Sequence, residues 1–386
     1  MHMVVHEVMT GQTLAVDLSG DRAKMSPIGS VAPTSLYLSP GWVDLQVNGF
    51  AGFDMNAPAL QPDDVGQMAR RLWAEGVAAF CPTVITASAA HIERCLDTIA
   101  TAYATDPEAQ ASLLGIHLEG PYISPADGTH GAHPVEHIHP PDWDEFCRWQ
   151  SAAHGLIRLV TLAPEQPGAI DFIRRLVAAG VVVAIGHSEA STQEIAAAAA
   201  AGASLSTHLG NGIAATLRRH PNPIWDQLAD ERLYASVIFD GFHLPASVMR
   251  VILRAKGIDR TILVSDAVAL ARMAPGVYNS PVGGQVELHS SGRLNLYGTE
   301  YLAGSASSMK DGVENALRLA GCSVAEAIRM AALNPLRLLG VAAPEASTLF
   351  SWESDKQQLT VLAMLRGGRV LYRSPEVQRY AQKETV

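Results

Sequence analysis

Apolar and polar positions follow two rhythms along this chain, and the change falls at Pro40-Gly41. Before it, apolar residues come in short runs (Met3-Val4-Val5, Leu14-Ala15-Val16, Leu36-Tyr37-Leu38) broken by Gly, Pro and Ser, the pattern of strands and turns. After it, apolar runs ending near Asn48, Thr83, Glu119, Ala163, His187, His208, His243 and Asp266 take turns with helical periodicity over 64–75, 89–103, 170–179, 192–201 and 246–256. Gly76, Gly180, Gly202 and Gly257 sit where helices should stop. Eight such units in series predict an α/β fold, a (β/α)8 TIM-like barrel over residues 41–340, in preference to an open sheet. The third connection, 122–141, is long and rich in His and Pro, which suits an active-site loop. A hairpin is expected over 277–298, then helices over 309–319 and 323–339. From 341 short strands return, at 358–362 and 369–372. Residues 1–40 and 341–386 together predict a small β-sandwich domain built from both ends of the chain.

Composition narrows the partners. Of the 386 residues 48% are hydrophobic and 17% charged, which marks a folded globular protein. The net charge is −10 with no Lys/Arg-rich run, so neither nucleic acid nor an anionic membrane surface is expected as a partner. No apolar run approaches the roughly 20 residues of a membrane span, and no charged segment followed by an apolar core opens the chain. Four scattered cysteines, Cys81, Cys95, Cys147 and Cys322, read as free thiols of a reducing compartment. A soluble, cytoplasmic protein is expected. Walker and dinucleotide glycine loops are absent, as is a Gly-x-Ser-x-Gly elbow.

In a (β/α)8 barrel the reacting residues come from strand ends and the loops after them. His187 and His208 end successive strands joined by one helix, and parallel neighbours lie about 4.8 Å apart, so their imidazoles can converge. A lone histidine at a strand end is ordinarily structural. Two histidines with Glu119 instead match a catalytic zinc set of three protein ligands and one open position. Such a metal lowers the pKa of a bound water and polarises a carbonyl. Asp266, at the end of the eighth strand, either caps a helix or takes the proton from that water. Gln46 and Asn48 end the first strand, and amides are poor zinc ligands, so a single divalent ion per subunit is expected. Zinc leads, with iron(II), cobalt and manganese compatible with the same donors. His137 and His139 have metal-pair spacing but lie beside Pro140-Pro141 and read as loop. His133 reads as a solvated loop histidine, His117 as packing or support beneath Glu119, and Cys81 as a buried structural thiol.

Several segments in order strengthen this reading: residues 40–49 (Pro-Gly-Trp-Val-Asp-Leu-Gln-Val-Asn-Gly), 115–121 (Gly-Ile-His-Leu-Glu-Gly-Pro), 128–130 (Gly-Thr-His), 186–190 (Gly-His-Ser-Glu-Ala), 207–211 (Thr-His-Leu-Gly-Asn), 240–243 (Asp-Gly-Phe-His), 265–267 (Ser-Asp-Ala) and 302–305 (Leu-Ala-Gly-Ser). Together they resemble the N-acetylglucosamine-6-phosphate deacetylase family of the amidohydrolase superfamily over roughly residues 38 to 340. The resemblance implies that Glu119, His187 and His208 bind the metal and that Asp266 is the base and then the acid. It implies that His130 polarises the acetamide carbonyl, and that Asn211, Gly212, Arg219 and His243 hold the sugar phosphate, with Gln46 and Asn48 beside the substrate. By the same analogy Arg219 and His243 reach in from the neighbouring subunit of a homodimer. This chain departs from the family pattern at Thr207–Ile213 and at the loop Leu217-Arg218-Arg219-His220-Pro221-Asn222-Pro223, where His220 replaces an acid. The expected reaction is hydrolysis of the acetamide of an N-acetylated amino sugar, N-acetylglucosamine 6-phosphate. The alternatives are the same chemistry on a non-phosphorylated N-acetyl sugar or other N-acyl amine, and a barrel without catalysis.

Overall fold

The computed structural model describes residues 2–29, 34–280 and 284–380. Residues 1, 30–33 and 381–386 of the expected terminal domain and 281–283 of the expected hairpin lie outside the described residues. Eight strands, Trp42–Val47, Val77–Ile85, Ile116–Glu119, Ile157–Leu162, Val182–Ile185, Leu205–Ser206, Tyr234–Val237 and Thr261–Leu263, pair in parallel in chain order. The eighth returns to the first through a Val47–Ala267 bridge and the Asp266 amide, which donates to the Gln46 carbonyl at 2.9 Å. This is a nearly closed TIM-like barrel.

Helices fall where the periodicity puts them, at Ala89–Thr105, Ala169–Ala178, Thr192–Ala201 and Ala246–Lys256, with the first at Pro62–Trp73. The helix between the two histidine-bearing strands shows why its ends are sharp. The Ser191 hydroxyl and the Glu194 side chain form a capping box, and Gly202 at φ +111° ends the helix. Three further helices, Pro107–Ser112, Trp143–Ala152 and Pro223–Ala229, were not anticipated; the first and third, of six and seven residues, are too short to set up a clear period. One strand end also differs: the seventh strand stops at Val237, which leaves His243 six residues out on the following loop.

The terminal segments form one seven-stranded sheet in the order Arg369–Arg373, Gln358–Arg366, Ala346–Glu353, Leu36–Pro40, His2–Glu7, Thr13–Asp17, Lys24–Pro27. Its two ends meet, with the Ala23 amide donating to the Gly368 carbonyl (2.7 Å) and the Val370 amide to the Asp21 carbonyl (2.8 Å). The sheet thereby wraps a core that includes Met3, Val5, Val16, Leu38, Leu349 and Leu362. It joins the foot of the barrel where the Thr348 hydroxyl donates to the Gly76 carbonyl at 2.8 Å. After the eighth strand, a three-stranded sheet (Gly276–Ser280, Gly284–Leu288, Leu294–Leu296) leaves the barrel. Among the described residues no helix is long and apolar enough to cross a membrane.

Candidate active site

A cavity of about 530 Å³ opens at the C-terminal ends of the strands, where barrels of this kind carry reactive groups. The strand interiors show why polarity collects there. Alternate residues of a strand share a face, and towards the mouth the inward ones pass from apolar to polar: Cys81 then Thr83, Leu159 then Thr161, Leu205 then Thr207, while the third strand is polar at both levels, His117 then Glu119. His117 Nε2 lies 2.7 Å from Thr161 Oγ1, which lies 2.7 Å from Thr207 Oγ1. Burial brings the His117 imidazole down to about 4, so it is neutral and forms part of an uncharged polar layer beneath the mouth. Burial also pushes the Cys81 thiol up to about 12, so Cys81 is an inert core residue.

Above that layer Glu119, His187 and His208 converge. His208 Nε2 is 3.1 Å from Glu119 Oε1 and 3.1 Å from His187 Nε2, and His187 Nε2 is 3.4 Å from Glu119 Oε1. Ligand atoms at the corners of a tetrahedral zinc site are about 3.3 Å apart, so these three have the spacing of atoms that share one ion. His187 Nδ1 is 2.8 Å from the Thr129 carbonyl. A carbonyl only accepts, so Nδ1 carries the proton and Nε2 presents its lone pair to the centre. His208 Nδ1 has no hydrogen-bond partner among the described residues. Burial alone would raise the Glu119 carboxyl, but hydrogen bonding and charge from His187 and His208 hold it well below the usual range. Burial would lower His208, and contact with Glu119 outweighs it and raises the imidazole. Two imidazoles and a carboxylate at this spacing fit a divalent cation, with zinc, iron(II), cobalt and manganese all compatible with these donors.

Strand one supplies two amides, each donating to a carboxylate. Gln46 Nε2 donates to Glu119 Oε1 at 2.8 Å and Asn48 Nδ2 to Asp266 Oδ1 at 2.7 Å. Burial lifts the Asp266 carboxyl to about 6, with the Glu119 charge adding and His208, His243 and the Asn48 bond opposing. His187, His208 and Asp266 have φ of +50°, +29° and +49°. Each such left-handed residue costs roughly 1–3 kcal/mol, and all three lie two or three positions beyond their strands. Gly212, at φ +58°, is required as glycine because a Cβ there would sit 2.8 Å from His187 Nδ1.

The remaining expected residues divide. Asn48, Asn211, Gly212, His243 and Asp266 line the cavity with Glu119, His187 and His208. Gln46 does not: it is 1% exposed and its amide is spent on Glu119. His243 belongs to this chain's own wall, its Nδ1–H donating to Asp240 Oδ2 at 2.6 Å, so its place there requires no neighbouring subunit. Arg219 is exposed and outside the wall. His130 is also outside it, its Nδ1–H donating to the His133 carbonyl at 3.1 Å. His133, expected in solvent, is instead 6% exposed and lines the cavity. Its Nδ1 lies 2.8 Å from Thr86 Oγ1 and its Nε2 4.0 Å from Glu119 Oε2, and its ring centroid is 4.5 Å from that of His187. With Glu119 and His187 it offers donor atoms all within 4.8 Å of one another. Gly131, at φ +59°, bends the loop down against His187. Nothing in the spacing of 130, 133, 137 and 139 ranked these histidines. Asp54 and, from the inserted sheet, Asn279, Ser280 and Leu294 complete the wall; these too went unanticipated.

No family model matches the chain. Over 326 residues it is 33% identical to an N-acetylglucosamine-6-phosphate deacetylase of Bacillus subtilis (strain 168), spanning 84% of this chain and 81% of the relative. Over 317 residues it is 36% identical to an N-acetylgalactosamine-6-phosphate deacetylase of Escherichia coli O157:H7, spanning 82% and 81%. Among solved structures it is similar to a mutant N-acetyl-D-glucosamine-6-phosphate deacetylase of Mycobacterium smegmatis in complex with N-acetyl-D-glucosamine-6-phosphate. The TM-score is 0.81 at 29% identity, covering 96% of this chain and 99% of the other.

Proposed function

The chain belongs to the N-acetylglucosamine-6-phosphate deacetylase family of the amidohydrolase superfamily, and from that premise we propose that it hydrolyses N-acetylglucosamine 6-phosphate to acetate and glucosamine 6-phosphate. The observation that carries the reading is the convergence of Glu119, His187 and His208 to 3.1–3.4 Å beneath a cavity that also presents Asp266.

Glu119, His187 and His208 hold one divalent ion, zinc in our reading, because strand one brings amides where a second metal would need histidines. When bound, the ion supplies polarisation of the acetamide carbonyl and acidification of a water. Asp266 takes the proton of the attacking water and later delivers it to the departing amine nitrogen. The Asn48 amide on Oδ1 fixes the carboxylate and leaves Oδ2 for that transfer. His133, rather than His130, stabilises the oxygen of the tetrahedral intermediate from the opposite wall. Gln46 positions Glu119 rather than touching the sugar.

Among the described residues no Lys or Arg lines the cavity, so the phosphate lacks a full positive charge within one chain. Asn211 and the backbone amide of Gly212, with His243, receive it in our reading, and Arg219 comes from the second subunit of a homodimer. The test is amine release by the zinc-loaded protein from N-acetylglucosamine with and without its 6-phosphate, and from the C4 epimer of the phosphorylated sugar. Turnover that chelation abolishes and zinc restores, with at least about tenfold higher kcat/KM for a phosphorylated sugar, is expected. Failure to release amine from any of them overturns the reading, and equal rates with and without phosphate overturn the phosphate site.

A further inference from the structure

Among the described residues three acids line the cavity, and the reaction above uses only Glu119 and Asp266. We propose that the third, Asp54, determines specificity by accepting a hydrogen bond from a ring hydroxyl of the bound sugar; the inference rests on the deacetylase reading.

Asp54 sits in a two-strand hairpin, Gly49–Phe50 with Phe53–Asp54, directly across from Gly49. The next amide, Met55 N–H, donates to the Asn48 carbonyl at 2.9 Å. The third acid is therefore fixed beside the residue that holds Asp266. The hairpin is tightly seated: a Cβ on Gly49 would lie 2.4 Å from the Phe53 carbonyl and 2.8 Å from the Ala269 amide. The Gly52 amide donates to the Ala269 carbonyl at 2.8 Å.

The carboxylate itself is anchored on one side only. Oδ1 accepts the Asn56 amide at 2.8 Å. Asn56 is in turn pinned to the end of the second strand, its Nδ2 donating to the Thr83 carbonyl (3.0 Å) and its Oδ1 accepting the Ile85 amide (2.9 Å). His91 Nε2–H donates to the Asn56 carbonyl at 2.9 Å. Oδ2 has no hydrogen-bond partner among the described residues. A rigid acceptor with an unspent oxygen on a ligand wall is a recognition element. Its charge would repel a phosphate, so the matching ligand chemistry at this wall is a hydroxyl donor, and the phosphate belongs at the Asn211–Ile213 side.

The test compares wild type, Asp54→Asn and Asp54→Ala on N-acetylglucosamine 6-phosphate and on its 3-deoxy and 4-deoxy analogues. The Asn variant keeps an acceptor for the Asn56 amide, and zinc content with thermal midpoint reports on folding. Removing a hydrogen bond to a charged group is worth roughly 10- to 100-fold. Wild type should lose that much kcat/KM on one deoxy analogue. Asp54→Ala should lose as much on the full substrate and nothing further on that analogue, with zinc retained. Variants that match wild type on every sugar, or lose activity equally on all three, overturn the proposal while leaving the deacetylase standing. A wild type inactive on all three sugars overturns both.

Discussion

The two ends of the cavity are built on different terms. At the ligand end Glu119, His187 and His208 are buried and Asp266 half-buried, all four lie within three residues of a strand end, and three are held by a further residue: His187 by the Thr129 carbonyl, Glu119 by Gln46, Asp266 by Asn48. At the end we assign to phosphate, Asn211 and Gly212 lie on the wall while Arg219 stands exposed on a loop. The contrast follows from the chemistry. A metal set must hold three donors within a few tenths of an ångström, which only strands and close packing provide. An anion on a flexible sugar tolerates backbone amides and long cationic side chains.

The strongest way to break the comparison is to remove a ligand. His187→Ala or His208→Ala is expected to abolish zinc binding by elemental assay and to lower kcat by roughly 10³-fold or more. Retention of a full equivalent of zinc would falsify the assignment of that histidine. Asp266→Asn should keep the zinc yet cost about 10²- to 10⁴-fold in kcat. The active form of Asp266 is ionised, and burial holds its carboxyl up near 6. For wild type, kcat/KM should therefore rise with pH through a limb at or below about 6, because a bound cation favours the ionised form. A limb that stays unchanged in Asp266→Asn assigns it to another group.

His133 and His130 sharpen the comparison within one loop. His133→Gln is expected to lose about 10²-fold in kcat, and His130→Gln to stay within about twofold; the reverse order in steady-state assays returns the role to His130. Among residues given a role, the smallest loss falls at the open end. Arg219→Ala should raise KM for the phosphorylated sugar about tenfold and leave the unphosphorylated sugar untouched. Equal effects on both sugars rule out a phosphate contact.

The barrel was readable because eight apolar runs follow one another with helical periods between most of them, four closed by a glycine. His187, His208, Glu119 and Asp266 were readable for the same reason, since the end of an inward-facing strand locates a side chain at the mouth. His133, Asp54 and the inserted sheet were not, because loop residues have no period to report their direction. His130 was preferred over His133 on a motif, and the structure places it with its ring turned to a neighbouring carbonyl. The exposed Arg219 shows the opposite limit, a position the resemblance singles out that the fold of one chain leaves outside the cavity wall.

By itself the order of residues determined the eight-unit barrel, the two-ended sheet and a His, His, Glu, Asp set at four strand ends, because each depends on local period and chain position. Tertiary structure decided which loop histidine meets Glu119, that Gln46 and Asn48 are spent on the two carboxylates, and that Asp54 keeps an unspent oxygen. Those outcomes depend on contacts between segments far apart in the chain, such as Gln46 with Glu119 and Asn48 with Asp266, and no local pattern encodes which pairs will meet.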